Sequence, residues 1–184
     1  MELIIGLAVI ALIAVFFISQ YNRLITLNIT VDEAWAQIEV QLKRRADLIP
    51  NLVETVKGYA AHEQSTFDAV VTARAKATTA TTVADTAAAD GMLTQALRGL
   101  LAVAEAYPDL KASTNFLSLQ EELATTENKV AFSRQFYNDN VRSLNTAVKT
   151  IPSSFFAGFA KVSEREFYEV EDPQDRNVPN VSFN

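Results

Sequence analysis

The chain has no cysteine, which excludes disulfides and thiolate metal sites but suits both reducing and oxidising surroundings. It has no excess of positive charge: the formal net charge of −6 argues against nonspecific nucleic-acid binding, and an acidic domain gains nothing from anionic headgroups. Glycine and proline number five each, too few for a loop-rich fold, while Ala, Leu, Val, Glu and Gln are plentiful, a balance that favours long helices. There is a single histidine, His62. Carboxylate-bridged metal sites in helical bundles need Glu-x-x-His on two helices, and Tyr59 stands where that Glu would be. A Ser/His/Asp arrangement would also have to use His62, whose setting beside Glu63 is that of a solvated side chain. No glycine-rich phosphate loop is present. Acidic residues supply carboxylate pairs in principle, yet no pair is singled out. The expectation is a protein that is not an enzyme and binds no cofactor and no metal.

What the chain does have is one wholly apolar run, Leu3 to Ile18. Roughly sixteen residues at 1.5 Å each reach about 24 Å, the short limit for a spanning helix. Ser19 to Asn22 extend it, with the Tyr21 ring suited to the headgroup region. A signal peptide would carry a basic start and a small-x-small cleavage site; Met1-Glu2 and Phe16-Phe17-Ile18-Ser19-Gln20 offer neither. The run is apolar all round, unlike a core helix with one polar face. It is therefore predicted to be an uncleaved anchor over 1–22, in contact with lipid through residues 3–22. Arg23 follows at once and Lys43-Arg44-Arg45 lies further on, so the positive-inside tendency puts the larger part in the cytoplasm.

Beyond the anchor the spacing predicts long helices. Val31, Trp35, Ile38, Leu42, Ala46, Ile49, Val53, Val56 and Ala60 recur at steps of three and four, the mark of one helical face. The phase runs through Pro50, which predicts a helix over 31–77 kinked there rather than a hairpin. A second stripe, Leu48, Leu52, Thr55 and Tyr59, means either that this helix is central in its own bundle or that it meets another subunit. The Thr/Ala tract from Lys76 to Asp90 reads as a mobile connection. A short helix over 87–105 ends at Tyr107-Pro108-Asp109, and a third helix over 109–150 holds a heptad-like, coiled-coil register. Ile151-Pro152 stops it. The domains expected are the anchor (1–22), a helical bundle (23–152) and a C-terminal tail (153–184).

On the third helix, Glu127, Arg134, Asn138 and Asn145 fall on one stripe with Ala131, Val141 and Val148 between them, so the stripe is predicted to be partly buried. The first helix offers Gln41, Arg44, Arg45, Asp47 and Asn51 as partners. The plain reading is a polar network that sets helix register, because buried polar groups must pair; an inter-subunit contact and a small-ligand site are the alternatives. Phe155, Phe156 and Phe159 in the tail either close one end of the bundle or form an apolar patch for a neighbouring subunit or the membrane. The candidate interface is thus Leu48, Leu52, Thr55, Tyr59, Phe155, Phe156 and Phe159. The closing Val178-Pro179-Asn180-Val181-Ser182-Phe183 looks extended, able to add to a partner's sheet edge.

Tyr21-Asn22 after the anchor, Glu33-Ala34-Trp35-Ala36-Gln37-Ile38, and the run from Gln41 to Glu63 centred on Arg44-Arg45-Ala46-Asp47-Leu48-Ile49-Pro50-Asn51-Leu52-Val53 resemble the LemA family of bacterial membrane proteins. Tyr107-Pro108-Asp109-Leu110-Lys111-Ala112, Thr126-Glu127-Asn128, Arg134, Tyr137-Asn138 and the closing Pro179-Asn180-Val181-Ser182-Phe183 carry the same resemblance. Between Arg23 and Val31 this chain departs from it, with Ile25-Thr26-Leu27-Asn28-Ile29-Thr30 where the family is usually more basic. The resemblance implies an all-α fold: a transmembrane helix, then an antiparallel bundle of three to four long helices, then a mostly extended Phe-rich tail. It implies no catalytic residues. The family's ties to magnetosome membranes and to envelope stress imply a role in membrane organisation. The reading that follows is a self-associating, noncatalytic scaffold, a homo-oligomer, on the cytoplasmic face of the bacterial cell membrane. The alternative is a monomeric or dimeric adaptor that presents a helical surface to another membrane protein, such as a protease or sensor, whose identity is unknown.

Overall fold

The computed structural model describes residues 1–169, and among these every regular element is a helix. They are α1 (Glu2–Lys57), α2 (Gln64–Thr79), α3 (Val83–Glu105), α4 (Pro108–Lys111), α5 (Thr114–Lys149) and α6 (Ser154–Ala160). The described chain divides into two compact units, one made of Met1–Ile38 and Ser133–Phe167, the other of Glu39–Phe132 with Tyr168 and Glu169.

In the first unit, α1 begins with the apolar run. Its side chains are exposed as far as Ser19, with Phe16 and Phe17 meeting the Phe156 ring of α6. Burial starts at Leu24 and continues with Val31, Ala34 and Ile38, the positions that the helical period assigns to one face. Tyr137, Val141, Leu144 and Ala147 of α5 are buried in the same unit, and the Trp35 and Tyr137 rings meet at 5.4 Å. The predicted extended tail is corrected here: Ser154–Ala160 is helical, with Phe156, Ala157 and Ala160 buried. Lys161 ends it in the left-handed region, at φ 52°, and residues 162–169 have no regular structure. The expected extended segment at Val178 to Phe183 lies outside the described residues.

In the second unit, the helix predicted over 31–77 proves to be two. α1 does pass through Pro50. Proline has no N–H to give the carbonyl four residues back, which is that of Ala46. The Arg74 guanidinium supplies the missing donor, its Nε–H reaching the Ala46 oxygen at 2.8 Å. The break comes later, at Gly58, the poorest helix former after proline. There Tyr59 and Ala60 N–H groups both donate to the Val56 carbonyl, closing the helix end. α2 then buries Phe67, Val70 and Ala73. Its stripe happens to continue the phase of Val53, Val56 and Ala60, which is why periodicity alone read one helix.

The Thr/Ala tract is also corrected. α2 runs to Thr79, with the Thr78 and Thr79 hydroxyls donating to the Ala75 carbonyl. α3 starts directly after Thr82, whose hydroxyl accepts from the Asp85 N–H and donates to the Asp85 carboxylate, a reciprocal cap. The helix predicted over 109–150 is divided by a turn at residues 112–113 into α4, with Pro108 at its first position, and α5. One apolar core holds this unit: Ile49, Leu52, Val53 and Val56 of α1, Phe67 and Val70 of α2, Leu93, Leu97 and Leu100 of α3, Leu110, Phe116 and Leu123.

Leu52, expected at an interface, lies inside that core, and Leu48 is packed against it. Of the second stripe only Tyr59 is exposed. Leu52→Ala is expected to cost about 2–5 kcal/mol in urea unfolding of the full chain in detergent. Tyr59→Glu should stay within about 0.5 kcal/mol.

Candidate functional site

The polar residues singled out on the first and third helices lie in several places. At the centre of the second unit is Arg45, 1% exposed. Its position is dictated by α1, which carries it in step with the buried Leu52 and Val56. One terminal nitrogen donates to Asp90 Oδ1 of α3 at 2.6 Å. The other donates to Thr94 Oγ1 at 3.0 Å and to Glu127 Oε2 of α5 at 2.9 Å. The Tyr168 hydroxyl donates to Asp90 Oδ2 at 3.1 Å, and Thr94 Oγ1 donates to the Asp90 carbonyl at 2.9 Å. One cation therefore faces two carboxylates. Asp90 is buried with it, while the Glu127 side chain keeps 45% of its surface, which leaves the excess negative charge in contact with water.

The other predicted members are placed differently. Arg44 pairs with Glu122 at 2.9 Å and Asp47 with Lys43 at 3.1 Å, both on exposed surface. Asn51 is exposed, and its carbonyl accepts from the Thr55 hydroxyl. Arg134 and Asn138 are half-buried on the part of α5 that belongs to the first unit. In that unit Asn145 grips the backbone of Arg165, its Nδ2 donating to the carbonyl at 2.9 Å and its Oδ1 accepting from the N–H at 2.8 Å. The Arg165 guanidinium pairs with Asp32, Lys149 pairs with Glu164 at 2.7 Å, and the Tyr137 hydroxyl donates to the Glu166 carbonyl at 2.9 Å. The irregular segment after α6 is thus held along α5 by side chains. Burial raises the Tyr137 phenol above its usual pKa; the Arg165 cation opposes this, and the Glu166 and Asp32 carboxylates add to it.

Sequence reading missed Asp90, Thr94, Arg165 and Tyr168. Asp90 could have been found: it falls in register with Leu93, Leu97 and Leu100, an acid in an apolar stripe. Arg165 and Tyr168 gave no such signal. His62 lies exposed in the turn between α1 and α2. Among the described residues no cluster of three or more His, Cys, Asp or Glu could hold a metal.

A packed helical unit centred on a buried arginine, and one N-terminal helix long and apolar enough to cross a membrane, define a membrane-associated helical protein. The chain belongs to the LemA family, whose sequence profile matches residues 34–183. It is similar to the magnetosome protein MamQ of Magnetospirillum gryphiswaldense, 24% identical over 205 residues, covering 96% of this chain and 75% of that protein. The similarity to magnetosome protein MamQ 2 of Paramagnetospirillum magneticum is 23% over 198 residues, covering 94% of this chain and 72% of that one.

Removing one partner of a buried ion pair leaves the other charge uncompensated, so Arg45→Ala is expected to cost about 3–5 kcal/mol. Replacing the pair, as Arg45→Met with Asp90→Leu, should recover most of that in the same urea titration. A single variant that unfolds like the native chain would show the pair to be dispensable. Tyr137→Phe should cost about 0.5–1.5 kcal/mol near neutrality through its lost hydrogen bond. Because the folded phenol ionises later than the unfolded one, native stability falls as the pH climbs past about 10. Thermal melts of the Phe variant should lack this part of the alkaline loss.

Proposed function

We propose that this protein is a noncatalytic scaffold, held in the bacterial cell membrane by a single pass through residues 3–22, that self-associates and organises or remodels that membrane. The observation that carries this reading is the continuity of α1: the same helix bears the exposed apolar run and the core residues Ile49 to Val56, with no linker between. The bend of the chain within three residues between α2 and α3, which pack together, supports an antiparallel bundle. The basic residues that follow the anchor support a cytoplasmic domain. Similarity to proteins named for the magnetosome supports a role in membrane organisation.

Self-association requires apolar surface that the fold leaves open. Of the expected interface Leu52 and Phe156 are buried, while Tyr59, Phe155 and Phe159 stay exposed. In the second unit Val40 of α1 is 62% exposed and Phe132 of α5 is 71% exposed. Patches on different helices suit head-to-tail contacts, which close into rings or extend as filaments. Light scattering and negative-stain imaging of the full chain in mild detergent should therefore show large, regular particles. Val40→Glu with Phe132→Glu should reduce them to small species with helicity unchanged in circular dichroism. Monomers or dimers of the native chain would favour the adaptor instead, and crosslinking in membranes would then identify its partner.

A further inference from the structure

α6 has no polar face. Phe156, Ala157 and Ala160 point into the first unit, while Phe155 and Phe159 lie on the opposite side, 68% and 80% exposed. Ile151, in the turn before α6, is exposed as well. Water is a poor environment for such a stripe, since each phenylalanine presents roughly 150–250 Å² of apolar surface. What covers it follows from where α6 is docked. The Phe156 ring stands edge-on to Phe17 at 4.7 Å and to Phe16 at 6.1 Å between centroids. Phe16 and Phe17 belong to the last turn of the apolar run, just before Ser19, Gln20 and Tyr21.

We propose that α6 is a membrane-inserted element: Ile151, Phe155 and Phe159 enter the lipid leaflet adjoining the packed domain, beside the anchor and at the boundary between acyl chains and headgroups. The proposal rests on the reading that residues 3–22 span the bilayer. Given that, the contact with Phe16 and Phe17 sets the depth of α6, because neighbouring side chains on a helix differ in height by only about 1.5 Å per residue. The outward stripe is then continuous with the lipid-facing surface of the anchor. Lys161, exposed directly after the helix, is placed to extend toward the headgroups. A short apolar helix lodged at that depth adds area to one leaflet only. Repeated over many anchored copies, this is a physical means of bending a membrane.

The absence of native cysteine makes the depth measurable without background. Phe159→Cys, Val9→Cys and Glu54→Cys would each be labelled with a nitroxide in the full chain, reconstituted in phosphatidylcholine vesicles. Collision with oxygen, which partitions into lipid, is compared with collision with a water-soluble nickel chelate by power-saturation spectroscopy. The expected result is an oxygen-to-nickel ratio severalfold higher at 159 than at 54, with the label at 9 deeper still. A 159 label as open to nickel as the 54 label, with the 9 label still in lipid, would overturn the insertion of α6 and leave the anchor standing. A 159 label immobilised and shielded from both reagents would mean that a second protein copy covers the stripe, and would also overturn it. Nickel access at position 9 would remove the anchor and this proposal together.

Discussion

Arg45 is the constraint around which the second unit is built. A guanidinium out of contact with water is costly unless acceptors are placed for it, and Asp90, Thr94 and Glu127 meet its two terminal nitrogens from α3 and α5. Hydrophobic packing among Leu, Val and Phe is forgiving, since one leucine can substitute for another in a shifted register. A buried charge pair is not: sliding α1 by one turn against α3 would leave both Arg45 and Asp90 without partners. The apolar core stabilises the unit, and the ion pair selects one arrangement of it.

The same economy of buried polar groups recurs at two other places. Pro50 removes an N–H from the middle of α1, and Arg74 from the next helix fills the vacancy at the Ala46 carbonyl. Residues 162–169 have no regular structure to satisfy their backbone, so Asn145 and Tyr137 serve the Arg165 and Glu166 backbone from α5. In each case a side chain of one element completes the backbone of another. These are long-range solutions to local defects, and they couple elements far apart in sequence.

The first unit carries a different logic. Its apolar surface is only partly used by the fold: Leu24, Val31 and Ile38 are buried, whereas the run before Ser19 is exposed, Phe156 touching only its last turn. In water that would be a liability, and in a bilayer it is the binding surface. The LemA family match, over residues 34–183, begins beyond this run and covers the part of the chain that the run would anchor.

Much of this was open to reading from residues alone. The apolar run, the helical character of the rest, the buried face from Val31 to Val56 and the absence of a break at Pro50 all follow from local composition and period, which act over a few turns of one helix. The half-buried setting of Glu127, Arg134, Asn138 and Asn145 was legible for the same reason. The end of α1 at Lys57 was not, because Phe67, Val70 and Ala73 keep the phase of the helix before them. Nor was the central place of Leu52, since a second apolar stripe looks alike whether it faces its own chain or another. Asp90 facing Arg45, Arg74 facing Ala46 and Phe156 facing Phe17 were decided only by tertiary structure. Each joins groups on separate helices, and periodicity specifies which side of a helix is buried without specifying what is buried against it.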